Sequence, residues 1–421
     1  MEREFFEFTD YLKQKDRAAA AAVAPVFSEI DDITCHNQWK VLSAFRSHRV
    51  SEQHFIPSTG YGYDDAGRET LDAIVAECMG TEDALIRHSF ASGTATITVG
   101  LFGVLRPGDR MLVLTGEPYD TLQGVLGHTR TTDGSLTDFG VKIDVLPLKD
   151  GVPDIAAAQK ALSAGLKKGG YKAAYIQRSR GYTLRKSLDV KSIDSLCRAV
   201  KEVSPDTITI VDNCYGEFVE KTEPAADLLM GSLIKNPGGG IAPCGGYLAG
   251  RHDIIEKCAG RMTAPGVGRE VGATLGHNRE LFMGFFNAPH VTGEALKTAV
   301  YAAALFEELG FEAMPGPLEP RADIIESILL KNKENLIAFC RGIQSGAPVD
   351  SFVTPEPAPM PGYSDEVIMA AGAFTLGSSI ELSADAPLRP PYAVFLQGAL
   401  NFHSGRFGVL KAAEMVFKSN K

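Results

Sequence analysis

The fold of this chain is decided by the stretch TITIVD, residues 207–212, an apolar and β-branched run that ends in one carboxylate, Asp212. Such a run predicts a buried β-strand that delivers an acid at its end. Further along comes GSLIKN, residues 231–236, in which Lys235 stands alone among small and apolar neighbours, and PGGG follows at once. This second run predicts a lysine in an apolar turn flanked by glycines.

A strand-end acid followed by a single lysine in an apolar turn suits the chemistry of pyridoxal phosphate (PLP). The amine of Lys235 can form a Schiff base with the cofactor aldehyde, and the Asp212 carboxylate can keep the pyridine nitrogen protonated so that the ring accepts electrons. The alternative is that Asp212 caps the next helix and that Lys235 is solvated at the surface. Taken alone, the segment favours this simpler alternative, so the rest of the chain has to decide.

The composition is that of an ordinary soluble globular protein of 421 residues, 44% apolar and 22% charged, with a net charge of −10. The length predicts two domains, or one large domain with an appendage. No dense run of Lys and Arg is present, which argues against a nucleic-acid-binding protein. The first residues lack the apolar core of a signal peptide and no 18-residue apolar run exists, so no export signal and no membrane partner are expected.

Seven cysteines are scattered along the chain without a Cys-x-x-Cys pair. An odd and dispersed set argues against a disulfide framework and for a reducing compartment, so a cytoplasmic protein is predicted. Neither the cysteines nor the histidines have the spacing of metal ligands, and no metal site is expected.

The pattern along the chain predicts an α/β fold in three regions. Residues 1–54 are predicted to form an N-terminal helical arm. Residues 55–289 alternate short apolar runs with helical patterns, which predicts right-handed βαβ units, a mainly parallel sheet and a large domain. Residues 290–421 are predicted to form a smaller C-terminal domain that begins with an alanine-rich hinge helix. The predicted strands lie near 111–114, 143–146, 173–177 and 207–212, and the C-terminal domain is expected to have a helix over 321–344 and strand material over 367–382.

Two further motifs are suggestive but weak when taken singly. Ser92, Gly93 and Thr94 lie where a loop meets a helix N-terminus, where backbone N–H groups and hydroxyls can converge on a phosphate. The simpler alternative is an ordinary serine N-cap beside a close-packed glycine. Tyr119 follows a predicted strand, where its ring could stack on a flat cofactor, or it is a half-buried core tyrosine.

The order of these features along the chain carries more information than any one of them. Four features, namely the helix start at residues 92–94, Tyr119, Asp212 and Lys235, are predicted at the carboxyl ends of parallel strands, where α/β sheets bind ligands. In this order the chain resembles the fold-type I PLP-dependent enzymes, in the cystathionine lyase and methionine γ-lyase branch, and is most similar to the aluminium-resistance (methionine γ-lyase-related) proteins. The resemblance runs from the loop YGYDD, residues 61–65, to IELSADAP, residues 380–387. It implies a seven-stranded-type, mainly parallel large domain flanked by helices and a smaller α+β C-terminal domain.

The resemblance also implies a role for each candidate residue. Lys235 would hold the cofactor and, once freed, move the Cα proton as a general base, which requires that its pKa be lowered. Asp212 would pair with the pyridinium nitrogen, and Tyr119 would stack on the ring. Ser92, Gly93, Thr94 and Ser232 would contact the phosphate. Tyr63 would contact the cofactor and substrate of a neighbouring subunit. Arg389 would bind the substrate carboxylate.

Three departures from the better-known lyases bear on specificity. Asp65 stands where those enzymes have an arginine, which leaves Arg68 or Arg180 as candidates for the missing positive charge near the phosphate. Ile234 precedes the lysine in place of a hydroxyl residue. The run QRSRGY, residues 177–182, replaces a turn that usually contains Asn-Pro.

The expected function is that of a PLP-dependent carbon–sulfur lyase that acts on cystathionine, cysteine or methionine by β- or γ-elimination. Two alternatives remain open, namely another PLP reaction such as γ-replacement or transamination, and a non-catalytic protein of this fold with a stress or aluminium-resistance role. A nicotinamide enzyme is disfavoured because the glycine fingerprint is missing. The resemblance implies a homodimer or homotetramer with active sites at the subunit interface.

Overall fold

A computed structural model of the chain describes residues 6–129, 132–360, 363 and 365–419. The chain divides into two compact units, one formed by Cys35–His290 and the other by Val291 onward together with the residues up to Thr34. Two long helices, α1 (Asp10–Ser47) and α8 (Asn278–Glu308), contribute residues to both units. None of the helices in the described part of the chain combines the length and apolarity that crossing a bilayer requires.

The larger unit is built on one seven-stranded sheet. Its strands are β1 (Asp83–Arg87), β2 (Arg110–Val113), β3 (Lys142–Val145), β4 (Ala173–Gln177), β5 (Ile208–Asp212), β6 (Leu228–Ser232) and β7 (Gly246–Gly250). Their order across the sheet is β1-β7-β6-β5-β4-β2-β3, in which β7 runs antiparallel to both neighbours and the other pairs are parallel. The expected α/β fold with a mainly parallel sheet is therefore confirmed.

Helices cover both faces of this sheet. They are α2 (Ala66–Met79), α3 (Gly93–Val104), α4 (Asp120–Leu126), α5 (Ile155–Leu166), α6 (Val190–Val203) and α7 (His252–Met262). Alternate residues of β4 point into two separate cores, Ala174 and Ile176 into one and Ala173 and Tyr175 into the other. Because successive side chains of a strand point to opposite faces, a sheet buried on both sides needs apolar residues at every position. This is why the strands read as continuous apolar runs.

Local sequence signals start and stop these helices. The carboxylates of Asp154 and Asp189 cap α5 and α6 by accepting the N–H groups of Ala157 (3.0 Å) and Ser192 (2.8 Å). Helix α2 ends at Gly80, whose φ of +70° is the left-handed conformation that glycine tolerates best.

The smaller unit contains an antiparallel five-stranded sheet. Its strands are β8 (Glu312–Met314), β9 (Glu326–Leu329), β10 (Val367–Ala370), β11 (Ser383–Pro387) and β12 (Ala393–Gln397), in the order β10-β11-β12-β9-β8. Two more helices belong to this unit, α9 (Lys333–Ser345) and α10 (Phe402–Ser419).

Several boundaries predicted from the sequence are wrong in this unit. The predicted helix over 321–344 is instead strand β9 followed by the shorter helix α9, because residues 326–329 pair with both β12 and β8. Strand structure over 367–382 ends at Ala370, and the next strand begins at Ser383. The hinge helix starts at Asn278 rather than at His290. In each case non-local pairing or packing overrides a periodicity that the sequence alone leaves ambiguous.

Close backbone packing at the start of α2 leads to a test of the fold. A methyl group on Gly67 would overlap the carbonyl oxygen of His54, and a backbone group cannot move aside as a flexible side chain can. We expect Gly67→Ala to cost about 2 kcal/mol or more and to lower the midpoint of thermal unfolding, followed by circular dichroism.

The matched control is Gly124→Ala, in helix α4. Apart from the chain neighbours and the backbone of α4 itself, no atom of the described structure lies within 4 Å of a methyl group at that position, and alanine favours a helix over glycine. The midpoint should stay the same or rise. Equal losses in both variants would contradict the packing argument.

Candidate active site

The carboxyl ends of four strands meet at one edge of the large sheet. Strands β4, β5 and β6 are parallel neighbours that end at Gln177, Asp212 and Ser232. Strand β1 ends at the same edge, because Arg87 and Ser232 both pair with Gly246, the first residue of the antiparallel strand β7. The segments that follow these strand ends are therefore brought together, as expected for the ligand-binding edge of an α/β sheet.

One corner of this edge is formed by Gly93 and Ser232. Helix α3 begins at Gly93, and a Cβ on that glycine would lie 3.0 Å from the Cβ of Ser232. The Ser232 side chain is fully buried, yet its hydroxyl has no hydrogen-bond partner among the described residues. A buried hydroxyl left unpaired beside a helix N-terminus is unfavourable unless a ligand satisfies it. The corner therefore has the composition of an anion site.

Ser92 already has a structural use at this corner. Its hydroxyl caps helix α3 by accepting the N–H of Ala95 at 3.1 Å. The N–H groups of Gly93 and Thr94 stand at the first positions of the helix, where no intrahelical acceptor is available. The backbone of these two residues can therefore donate to an anion, and the Ser92 hydroxyl, which accepts in the cap, keeps its own O–H as a further donor.

Tyr119 is brought to the same edge. Its hydroxyl lies 3.3 Å from the Thr94 hydroxyl, which lies 3.2 Å from that of Thr121. Its backbone N–H donates to the side chain of Gln177 at 2.9 Å. The ring is half-buried, and burial raises the pKa of the phenol well above its usual value. Tyr119 is thus a neutral aromatic fixed between the start of α3 and the end of β4.

Asp212 lies buried at the end of β5. Its carboxylate accepts the N–H of Cys214 at 3.1 Å and the hydroxyl of Tyr175 at 3.4 Å. Burial raises the pKa of this acid, and the hydrogen bonds from Cys214 and the charge of Lys235 oppose that shift only in part. A cationic partner in this position would restore the ionised form.

Lys235 follows β6 by three residues and lies in a sharp turn before a short 3₁₀ helix, Asn236–Gly238. Its Nζ atom is 3.9 Å from the centre of the Tyr215 ring. Burial lowers the pKa of the amine, but Tyr215, Cys214 and Asp212 together outweigh burial, and the net direction is upward. These neighbours favour the ammonium, whereas the lowered pKa is expected of Lys235 beside a protonated cofactor, and that expectation stays a prediction.

The loop with Tyr63 is held by buried polar contacts. Asp65 caps α2 at the N–H of Arg68 (2.8 Å) and also accepts the hydroxyls of Ser58 and, at 2.8 Å, Thr274. These hydrogen bonds outweigh burial and hold the pKa of Asp65 below its usual value. Asp65, which replaces an arginine of the better-known lyases, thus has an anchoring role here.

Arg68 has a similar anchoring role. Its guanidinium donates to the carbonyl oxygens of Gly62 at 2.7 Å and Gly272 at 2.8 Å, so it ties the loop to another backbone segment. These contacts, rather than an anion, account for its burial. Arg180 is also buried and donates to the Ser187 hydroxyl.

No hydrogen bond, ion pair or ring contact joins Tyr63 to the strand-edge group among the described residues. The Tyr63 side chain is 61% exposed and its ring stacks on Tyr61 with 5.5 Å between ring centres. Arg389 belongs to the smaller unit, where it forms an ion pair with Asp365 at 2.9 Å. The roles suggested for these two residues stay predictions.

A buried polar network behind the strand edge was not predicted from the sequence. Arg178 is fully buried and pairs with Glu220 (2.9 Å) and Glu223 (3.3 Å). Glu217 accepts the hydroxyl of Tyr247 at 3.0 Å. Burial raises the pKa of Glu217 to about 8. Three acids within seven residues look like a solvated loop, so no sequence signal distinguishes this network from an ordinary surface segment.

The acidic side chains of one group of possible metal ligands already form ion pairs with an arginine. Asp83, His252 and Glu256 offer ligand atoms within 4.8 Å of one another. Arg269 forms ion pairs with Asp83 at 3.0 Å and with Glu256 at 3.2 Å. The guanidinium already supplies the positive charge that these acids require.

Glu217 leads to a pH-dependent prediction. Between the ordinary glutamate pKa of about 4.3 and about 8, the unfolded chain has released this proton whereas the native protein has kept it. Stability should therefore fall as the pH rises through this window. Glu217→Gln removes the titration and should make the protein more stable than the wild type at pH 8, with a smaller difference at pH 5, in urea unfolding.

Glu202→Gln, on the exposed face of α6, is the control and should follow the wild type at both pH values. If Glu217→Gln were destabilised equally at pH 5 and pH 8, Glu217 would be an ionised member of the network.

Comparison with known proteins places the chain among lyases. A family model described as methionine gamma-lyase matches residues 12–417. The uncharacterized protein YnbB of Bacillus subtilis is 47% identical over 414 residues, which cover 97% of each chain. A solved structure from Clostridium novyi, described as a carbon–sulfur lyase involved in aluminum resistance, is 47% identical, covers 96% of each chain and superposes with a TM-score of 0.92. The PLP-dependent protein YhfS of Escherichia coli, at 13% identity over 93% of this chain and 96% of its own, shares the fold with a TM-score of 0.61.

Proposed function

The chain belongs to the methionine gamma-lyase family and is an enzyme of the carbon–sulfur lyase type, and we propose that it uses PLP to eliminate a thiol from a sulfur-containing amino acid. Cystathionine, cysteine and methionine are the candidate substrates. The observation that carries the proposal is the meeting of Asp212, Lys235 and the Gly93–Ser232 corner at one edge of the sheet.

The residues present fit this cofactor. The unpaired, buried hydroxyl of Ser232 beside the start of α3 supports a phosphate site. A buried carboxyl group at Asp212, whose pKa is raised by burial, is suited to a cationic ring nitrogen. The fixed, neutral ring of Tyr119 is suited to covering a flat heterocycle.

In the proposed mechanism each side chain has one task. Lys235 would bind the cofactor covalently and, when displaced by the amino-acid substrate, would take the Cα proton on its Nζ atom. Asp212 would place a negative charge against the ring nitrogen, while Ser232 and the backbone of Gly93 and Thr94 would hold the phosphate. The bound cofactor supplies an electron sink for the pair left on Cα. The expected products are a thiol, a keto acid and ammonia.

The proposal includes an assembly of at least two subunits. Most of the Tyr63 ring is exposed although its loop is anchored by Asp65 and Arg68. A rigid loop that presents an aromatic hydroxyl to solvent is consistent with a contact to the cofactor and substrate of a neighbouring subunit, in a homodimer or homotetramer. Arg389, half-buried in its ion pair with Asp365, is proposed to bind the substrate carboxylate.

The proposed location is the cytoplasm. All seven cysteines lack a disulfide partner. Burial raises the thiol pKa of Cys78, Cys197 and Cys258 to about 12 and also raises that of Cys340. Such thiols are unreactive and behave as small apolar side chains.

The first test is the absorbance of the purified protein after incubation with PLP. We expect a band at about 420 nm that borohydride bleaches, as for a lysine-bound PLP. Lys235→Ala should lack the band, whereas Lys191→Ala, which changes an exposed lysine on α6, should keep it. A wild-type protein without the band would overturn the cofactor assignment, and a band retained in Lys235→Ala would move it to another lysine.

The second test concerns Asp212. Asp212→Asn keeps the size of the side chain but removes its charge, so we expect the absorbance band to remain and kcat for thiol release to fall about 100-fold or more. Asp189→Asn is the control, because asparagine caps a helix as well as aspartate does. Thiol, keto acid and ammonia would be measured with cystathionine, cysteine and methionine in parallel, and unchanged turnover in Asp212→Asn would contradict its role.

A further inference from the structure

Tyr215 is the closest aromatic neighbour that the structure describes for the Lys235 amine. The Nζ atom lies 3.9 Å from the ring centre, a distance at which an ammonium is attracted to the face of an aromatic ring. The same amine also forms a hydrogen bond with the Tyr215 side chain. One residue thus offers the lysine both a π face and a phenol oxygen.

The backbone conformation of Tyr215 shows that the surrounding structure holds the ring in this contact. Its φ of +71° lies in the left-handed region, which is uncommon for a bulky side chain and costs energy. The side-chain amide of Asn236 donates to the carbonyl of Tyr215 at 3.0 Å and to that of Glu217 at 2.9 Å. Asn236 directly follows Lys235 in the chain. The turn that carries the ring and the turn that carries the amine are therefore tied together.

Deeper contacts support the turn that carries Tyr215. Glu217 is held by the Tyr247 hydroxyl, and a side chain on Gly231 would overlap both Glu217 and Tyr247. The strand that leads to Lys235 therefore packs directly against the segment after Tyr215. A strained residue persists only where its surroundings determine its conformation, and these contacts do so.

We propose that Tyr215 is the positioning residue for Lys235, holding the amine against its ring face and beside its hydroxyl. This inference rests on the proposed function, because it gives Lys235 its orientation before the cofactor aldehyde arrives, and the amine would release its proton to solvent before it attacks the aldehyde.

The titratable groups that face the amine are Asp212 and Cys214, at and just after the end of β5, and Tyr215 itself. All three favour the ammonium, whereas burial opposes it. Tyr215→Phe removes the phenol oxygen and keeps the ring, Asp212 and Cys214. The variant therefore isolates the hydroxyl.

The test measures the proton affinity of Lys235 without any use of the cofactor. The full chain, freed of bound aldehyde by dialysis against hydroxylamine, is labelled with trace acetic anhydride across a pH series, and the extent of acetylation of each lysine is read by peptide mass spectrometry. Only the free amine reacts, so the midpoint for Lys235 should move to lower pH by about one unit in Tyr215→Phe. Lys172 and Lys191, both exposed, serve as internal references and should not move.

Two more variants complete the design. Tyr171→Phe removes a phenol that bonds to Asp144 at 2.7 Å on another part of the sheet, and the Lys235 midpoint should stay at the wild-type value. Tyr215→Leu removes ring and hydroxyl together and should move the midpoint at least as far as Tyr215→Phe, which keeps the proposal testable if the phenylalanine variant does not fold.

An unchanged Lys235 midpoint in the folded Tyr215 variants would overturn the inference. A separate sample incubated with PLP shows whether the band at about 420 nm forms in the wild type. If the band fails to form but the midpoint still shifts, the proposed function is lost and the Tyr215 contact stands. If the band forms and the midpoint does not shift, the reverse holds.

Discussion

The site depends on the pairing of β6 with β5 on one side and β7 on the other. The parallel pair sets the end of β6 beside Asp212, and the antiparallel pair sets it beside the end of β1. Since α3 follows β1, the same pairing brings Gly93 against Ser232. One strand therefore joins the acid, the lysine and the anion corner, although Gly93 is more than a hundred residues before Asp212 and Lys235 in the sequence.

Burial gives these groups their chemical character. Removal from water disfavours charge on Asp212, Tyr119 and Lys235 alike, yet the outcome differs with the neighbours. Asp212 and Tyr119 are pushed towards their neutral forms. The Nζ atom of Lys235 lies over the Tyr215 ring, and Tyr215, Cys214 and Asp212 together outweigh the effect of burial on the pKa of the amine. The edge of the sheet thus brings several acid–base groups together in one buried region.

A second polar layer stands behind this edge. Glu223 pairs with Arg178 and accepts the side-chain amide of Asn213. Glu217 accepts the Tyr247 hydroxyl, and its backbone carbonyl accepts the side-chain amide of Asn236, next to Lys235. Such a network is costly to break, because removal of one member leaves another buried and unpaired. It stabilises the strained turn at Tyr215, and so connects the packing of the core with the position of the lysine.

The sequence by itself determined the α/β class, the strand that ends at Asp212, the choice of Lys235 as candidate and the lyase resemblance. Continuous apolar runs, and the order of the polar residues between them, are local signals. Only the tertiary structure decided that residues 326–329 are a strand, that Asp65 anchors a loop, and that Tyr215 faces Lys235. These depend on contacts between segments far apart in the chain, and a sequence pattern carries no record of which neighbour a side chain meets. The direction of the Lys235 pKa shows this most directly, since burial alone predicts a fall and the three neighbouring groups reverse it.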